Sequence, residues 1–180
     1  MHNFAHLRKT CFLLFLVMQS CVKDVDIDQY QEIVIPPTAA LDLVYFTLSA
    51  ENFLNSSGQV QTAKDEVRLE FLDDDYIQDG LVGANFNFIF YNTFPQAFSV
   101  TVKLLATNNS VRYQFPVEVP PGQPGTPTVV NYTELVPASR INDIKRSIKL
   151  VVEVEMQPNS EPIEGALRLE SKAFYKFEFK

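Results

Sequence analysis

Histidine and cysteine are nearly missing from this chain of 180 residues: there are two of each, and all four fall early, as His2, His6, Cys11 and Cys21. From Val22 onward the chain has no imidazole and no thiol. Ser-His-Asp and Cys-His nucleophilic catalysis are thereby excluded for that stretch, because a base of the required kind is not present. Zinc sites built from His and Cys are excluded for the same reason, and so are disulfides. Tryptophan is absent altogether, which removes a large stacking side chain from any carbohydrate site. Basic clusters are missing too. With a formal net charge of −7, the chain offers a phosphate backbone no positive track, so nucleic acid is not an expected partner.

Long hydrophobic runs are also lacking. The apolar stretch from Cys11 to Met18 is too short to cross a bilayer as a helix, which takes roughly 20 residues. Arg8 and Lys9 precede it, and Gln19-Ser20 separates it from Cys21. A basic start, an apolar stretch of about 7–15 residues and a small residue at its end mark a secretory signal rather than a core helix. Residues 1–20 are therefore expected to be removed, with Ser20 flanking the cut.

Met18-Gln19-Ser20-Cys21 resembles a bacterial lipobox, in which a cysteine after a small residue is acylated and becomes the new N-terminus. Lys23-Asp24-Val25-Asp26, just beyond it, is similar to the surface-export tags of Bacteroidota lipoproteins. With the terminal stretch Arg168–Ala173, these features make the chain similar to small outer-membrane lipoproteins of flavobacteria and their relatives. The resemblance implies acylation of Cys21, palmitate included, and a lipid-anchored position at the bacterial outer membrane. It implies no known activity. Loss of Arg8 and Lys9, the two charged residues before Cys21, would take the net charge from −7 to −9.

Residues 21–37 read as the lipidated N-terminus and a tether. They are polar, carry a short β-like patch at Ile33-Val34-Ile35, and are stiffened at the end by Pro36-Pro37. Residues 38–180 are the expected globular domain, and strand signals dominate them. Leu41–Leu48 is β-rich, and Val67-Arg68-Leu69-Glu70-Phe71 alternates apolar with charged residues at period two. Phe86, Phe88 and Phe90 share a face, and the runs Phe98–Leu104 and Val111–Phe115 flank Asn108-Asn109-Ser110 as a hairpin. Pro116 to Pro127 is proline-rich and reads as a loop or edge connection. Val129–Tyr132 is a short strand, and Ser139–Ile144 reads as one or two helical turns capped by Ser139. The runs starting at Ile148 and Leu167 are the most regular strands of all.

About eight strands and at most one short helix predict a mainly β fold: a single antiparallel β-sandwich, immunoglobulin-like or similar. A small outer-membrane barrel has the same strand number, but its strands need about 9–11 residues. Val67–Leu72 and Val129–Tyr132 are shorter.

Three constellations are candidates for a site. Asp73-Asp74-Asp75 with Asp79 close behind is a crowd of carboxylates of the kind calcium takes. A solvated turn explains the same residues, and the EF-hand pattern fails because Gln78 stands where its glycine belongs. Tyr76, Tyr91 and Tyr132 are the aromatic residues least suited to a core, and hence candidate ligand contacts. The acid pairs Glu153/Glu155 and Glu161/Glu164 would interest a glycosidase, but Glu153 and Glu155 share a strand face and are better explained as its solvent side. No catalytic residue is expected, and no cofactor unless calcium. The functional expectation is a non-enzymatic, membrane-anchored envelope lipoprotein that binds or scaffolds another envelope component. The alternative is a glycan-binding accessory lipoprotein of a nutrient-uptake system.

Overall fold

The alternating segments become eight strands in the computed structural model, which describes residues 37–179. They are β1 Thr38–Ser49, β2 Ala63–Arg68, β3 Leu81–Asn92, β4 Ala97–Leu105, β5 Val111–Val119, β6 Thr128–Leu135, β7 Lys149–Gln157 and β8 Ala166–Phe177. Helix is confined to the connections, as α1 Ala50–Phe53, α2 Asp75–Gly80 and α3 Ile141–Lys145. Single 3-10 turns span Glu70–Asp73 and Ala138–Arg140. The expected signal segment, Ser20, Cys21 and nearly all of the tether lie outside the described residues.

Strand pairing obeys one rule. β1 pairs with β8, β2 with β7, β3 with β6 and β4 with β5, all antiparallel, so the numbers of each pair add to nine. A chain that doubles back on itself and then rolls up gives this pattern. Two further pairings, β3 with β8 and β4 with β7, close the roll into two four-stranded sheets, β1-β8-β3-β6 and β2-β7-β4-β5. The sandwich is thus a jelly roll. It differs from the immunoglobulin arrangement in its strand order, and from a membrane barrel in having two separate sheets.

The inner faces supply the core. Phe86, Phe88 and Phe90 of β3 are fully buried, as are Phe98, Leu150, Val152, Leu167 and Leu169. Rings meet across the sandwich: Phe88 lies edge-on to Phe115 of β5 at 5.7 Å. From α1, Phe53 closes over Phe94 and Phe98 at 5.8 and 5.1 Å. Each such ring contributes about 1.5–3 kcal/mol by leaving water.

Buried amides tie the loops of one end together. Asn92, with no exposed surface, donates through Nδ2 to the carbonyls of Gln96 and Pro120 at 2.9 and 2.8 Å. Its Oδ1 accepts from the Phe94 N–H at 2.8 Å. Gln96, equally buried, donates to Asn159 Oδ1 at 2.8 Å and to the Glu161 carbonyl at 3.0 Å. Three connections are thereby fixed to each other, and the backbone groups there find partners that no strand provides.

Three local expectations are corrected. The alternation at Val67–Phe71 is not one strand: the backbone leaves the extended region at Leu69 (φ −92°, ψ 60°), and Phe71 sits in the following turn. There it packs on Tyr175 and Phe177. Pro116 lies inside β5 rather than in a loop; β5 is an edge strand, paired only with β4, where a missing N–H is tolerated. Ser139 is not a helix cap, because it sits within the 3-10 turn and Arg140 takes the cap position of α3.

Candidate functional site: a groove at the bulge of the first strand

Leu41-Asp42-Leu43-Val44-Tyr45-Phe46 breaks strict alternation by placing two apolar residues side by side. In the structure this is a β-bulge. Asp42 pairs with Lys172 and Tyr45 with Glu170, so Leu43 and Val44 together face the single residue Ser171. The lost ladder bonds are replaced by a side chain: the Val44 N–H donates to Ser171 Oγ at 2.9 Å, and that hydroxyl donates to the Val44 carbonyl at 2.7 Å. Bulges bend a strand and re-aim its side chains. Here a groove of about 480 Å³ lies on the outer face of the first sheet, lined by residues of β1, β8 and β3.

The register across the sheet places the residues of this outer face in rows, the groove lying over the β1, β8 and β3 members of the first two. Asp42, Lys172, Asn87 and Thr133 form one row; Tyr45, Glu170, Ile89 and Asn131 form the next; Thr47, Arg168, Tyr91 and Val129 form a third. Charges are compensated within and between these rows, with Lys172 at 3.3 Å from Asp42 in one row and Arg168 at 3.3 Å from Glu170 across two. Asn87 is oriented by its neighbours, its Nδ2 donating to Asn131 Oδ1 at 2.7 Å and to Thr133 Oγ1 at 3.0 Å. Tyr45 projects from the bulge with 64% of its surface exposed.

The outer face of the second sheet differs in kind. Lys64, Glu66, Lys103, Lys149, Glu153 and Glu155 cover it, with ion pairs such as Lys103–Glu153 at 2.5 Å. Of the exposed large apolar side chains among the described residues, Tyr45, Val129, Leu135 and Phe174 lie on strands of the first sheet's outer face, and Val111 alone lies in a strand of the second sheet.

The three tyrosines singled out from the sequence go to three places. Tyr91 lies on the grooved face, but the Arg168 guanidinium covers its ring at 4.1 Å. Tyr76, on α2, is exposed and stacks on Phe179 at 4.5 Å, away from the groove. Tyr132 turns inward: its ring stacks on Phe115 at 5.8 Å and its hydroxyl donates to Glu134 at 2.6 Å. Tyr113 of β5 donates to the other oxygen of the same carboxylate at 2.5 Å, so Glu134 joins the two sheets at their β5 and β6 edges. Both phenols are pushed up to about 12: Tyr113 first by burial, then by Glu134, and Tyr132 first by its bond to Glu134.

The acidic stretch is dispersed in the same way. Asp73 pairs with Arg68 at 2.6 Å, and Asp74 caps α2 by accepting from the Ile77 N–H at 3.1 Å. Asp75 begins α2, and Asp79 lies near its other end, where its backbone carbonyl accepts from Lys145 at 3.3 Å. Among the described residues, no group of three or more acidic, histidine or cysteine side chains converges as a metal site would require. Tyr45, Asn87, Glu170 and Lys172 were not among the residues the sequence singled out. The doubled apolar pair Leu43-Val44 is the signal that leads to them.

No family model matches the chain, and no curated protein does. Some solved structures show limited similarity to it. A protein from Parabacteroides distasonis is 15% identical, covering 66% of this chain and 38% of its own, with a TM-score of 0.47. The VP2 subviral particle of infectious bursal disease virus is 10% identical over 79% of this chain and 33% of that one, with a TM-score of 0.45. Desmodium yellow mottle tymovirus is 12% identical over 81% and 90%, with a TM-score of 0.32. This chain thus spans 38% and 33% of the first two, and its fold is defined by its own strand order.

Proposed function

We propose that the chain is a non-catalytic envelope lipoprotein, anchored through acylated Cys21 at the bacterial outer membrane, whose jelly roll binds another envelope component. The grooved outer face of β1-β8-β3-β6 is the binding surface. The observation that carries this reading is the contrast between the two outer faces. One is covered by charged side chains, with ion pairs such as Lys103–Glu153; the other adds to its ion pairs a groove, an aromatic ring that is unstacked among the described residues, and scattered apolar side chains. Concave surfaces with a few convergent polar groups are where ligands bind. The anchor rests on the lipobox resemblance.

Two measurements test it. Metabolic labelling with an alkyne fatty acid should mark the full-length protein and fail to mark Cys21→Ser. A photo-crosslinking residue placed at Tyr45 should capture a partner in intact envelopes, while the same residue at Glu155 should not. Equal capture at both positions, or at neither, overturns the assignment of the face.

A further inference from the structure

We infer that the component bound in this groove is a neutral saccharide, stacked on Tyr45; the inference rests on the reading above and names its ligand class. Charge decides first. Lys172 is paired with Asp42 at 3.3 Å, and Glu170 with Arg168, just outside the lining, at 3.3 Å, so every charge that lines the groove already has a partner and none is left over for an ionic ligand to complement. Hydrogen-bonding capacity remains, however. Ion pairs at an open surface keep lone pairs on the carboxylates and spare protons on the ammonium, which suits a ligand that is both donor and acceptor at every hydroxyl.

The aromatic ring decides next. Tyr45 is 64% exposed, and its side chain takes part in no ring stack or hydrogen bond among the described residues. Tyr91 in the next row is already covered by Arg168, and Tyr76 by Phe179. A free π face flanked by polar groups matches the alternation of C–H faces and hydroxyl edges on a pyranose ring. Ile89, in the same row, adds apolar surface.

Preorganisation completes the case. Asn87 spends its Nδ2 on Asn131 and Thr133, which leaves its Oδ1 as an oriented acceptor. Asn131 gives its Oδ1 to that bond and keeps its Nδ2 as a donor. A neutral acceptor and donor are therefore held side by side before any ligand arrives, which lowers the ordering cost of binding.

Native affinity electrophoresis of the full-length protein, in gels containing β-glucan, xylan or galactomannan, tests the inference. At least one of these neutral polysaccharides should retard the protein, and the anionic polymer dextran sulfate should not. Tyr45→Ala should weaken the retardation about tenfold, whereas Tyr45→Phe and Glu155→Ala should preserve it. An unchanged melting temperature of Tyr45→Ala separates lost binding from lost folding, because the side chain is exposed. Retardation that survives Tyr45→Ala overturns the inference. So does the absence of retardation in every neutral gel. If the gels are blank while the crosslinker at Tyr45 captures a protein, the saccharide assignment falls and the broader reading stands; if both are blank, both fall.

Discussion

Ser171 and Val44 are held together by two hydrogen bonds, in which one hydroxyl accepts from the Val44 N–H at 2.9 Å and donates to the Val44 carbonyl at 2.7 Å. A serine side chain thus does the work of a missing backbone partner at the bulge, in a buried position. Ser171→Ala removes both bonds and leaves a buried donor and acceptor unmet. The expected cost is about 1–3 kcal/mol, read as a lower midpoint in urea. If the groove depends on the bulge, saccharide retardation weakens in this variant as well.

Gly122 and Gly125 separate two reasons for glycine within one loop. A Cβ at Gly122 would lie 1.8 Å from the Asn92 carbonyl oxygen, whereas at Gly125 it would meet nothing within 4 Å, although φ there is +78°. Gly125→Ala therefore costs only the backbone strain of a left-handed residue, about 1–2 kcal/mol. Gly122→Ala forces the amide-bonded loops apart and should cost about 3 kcal/mol or more. Equal losses in thermal denaturation would contradict this account.

Glu134 contributes to the behaviour of the protein in strong alkali, beside burial. Folding raises Tyr113 and Tyr132 from the ordinary 10.0 to about 12, so both phenols hold their protons more tightly folded than unfolded. Their stabilisation is complete below pH 10 and is lost as pH rises through about 12. Glu134→Gln should lower the spectrophotometric titration of Tyr132 more than that of Tyr113, because burial is the larger cause at Tyr113. Assignment follows from repeating the titration in Tyr113→Phe and Tyr132→Phe backgrounds.

Asp74 acts as a helix cap, and its removal should look like the loss of one. Asp74→Ala is expected to cost about 1 kcal/mol, equally in calcium and in EDTA. A melting temperature of the unaltered protein that rises on adding calcium, and falls back in the variant, would instead make the acidic stretch a metal site.

Much of the fold is legible along the chain, and the reason is periodicity. Phe86, Phe88 and Phe90 or Leu150, Val152 and Val154 announce their buried face because a two-residue repeat has one simple structural meaning. Strand order is not legible, because the partners of β1 lie at the far end of the chain and no local feature of Thr38–Ser49 names them. Phe71 misleads for a related reason: an alternating residue just past a strand end buries its ring as well from a 3-10 turn as from a strand. Tyr132 is hard to read for a different reason. Tyr132 is polar enough to suggest exposure, but its partner Glu134 stands two positions along the same strand and satisfies its hydroxyl indoors. The groove turns on a phase slip of one residue at Leu43-Val44, which is visible in the sequence but acquires meaning only once Ser171 stands opposite.

β8, the last strand of the described residues, is also a middle strand of its sheet, flanked by β1 and β3. Val44 and its partner Ser171 are 127 positions apart, and contacts of such long separation form slowly. Until the ribosome has released Ala166–Phe177, the first sheet has a gap at its centre and the newborn polypeptide has no way to complete it. Such a chain stays open while Ala166–Phe177 is missing, and locks into shape only when that strand is seated between β1 and β3.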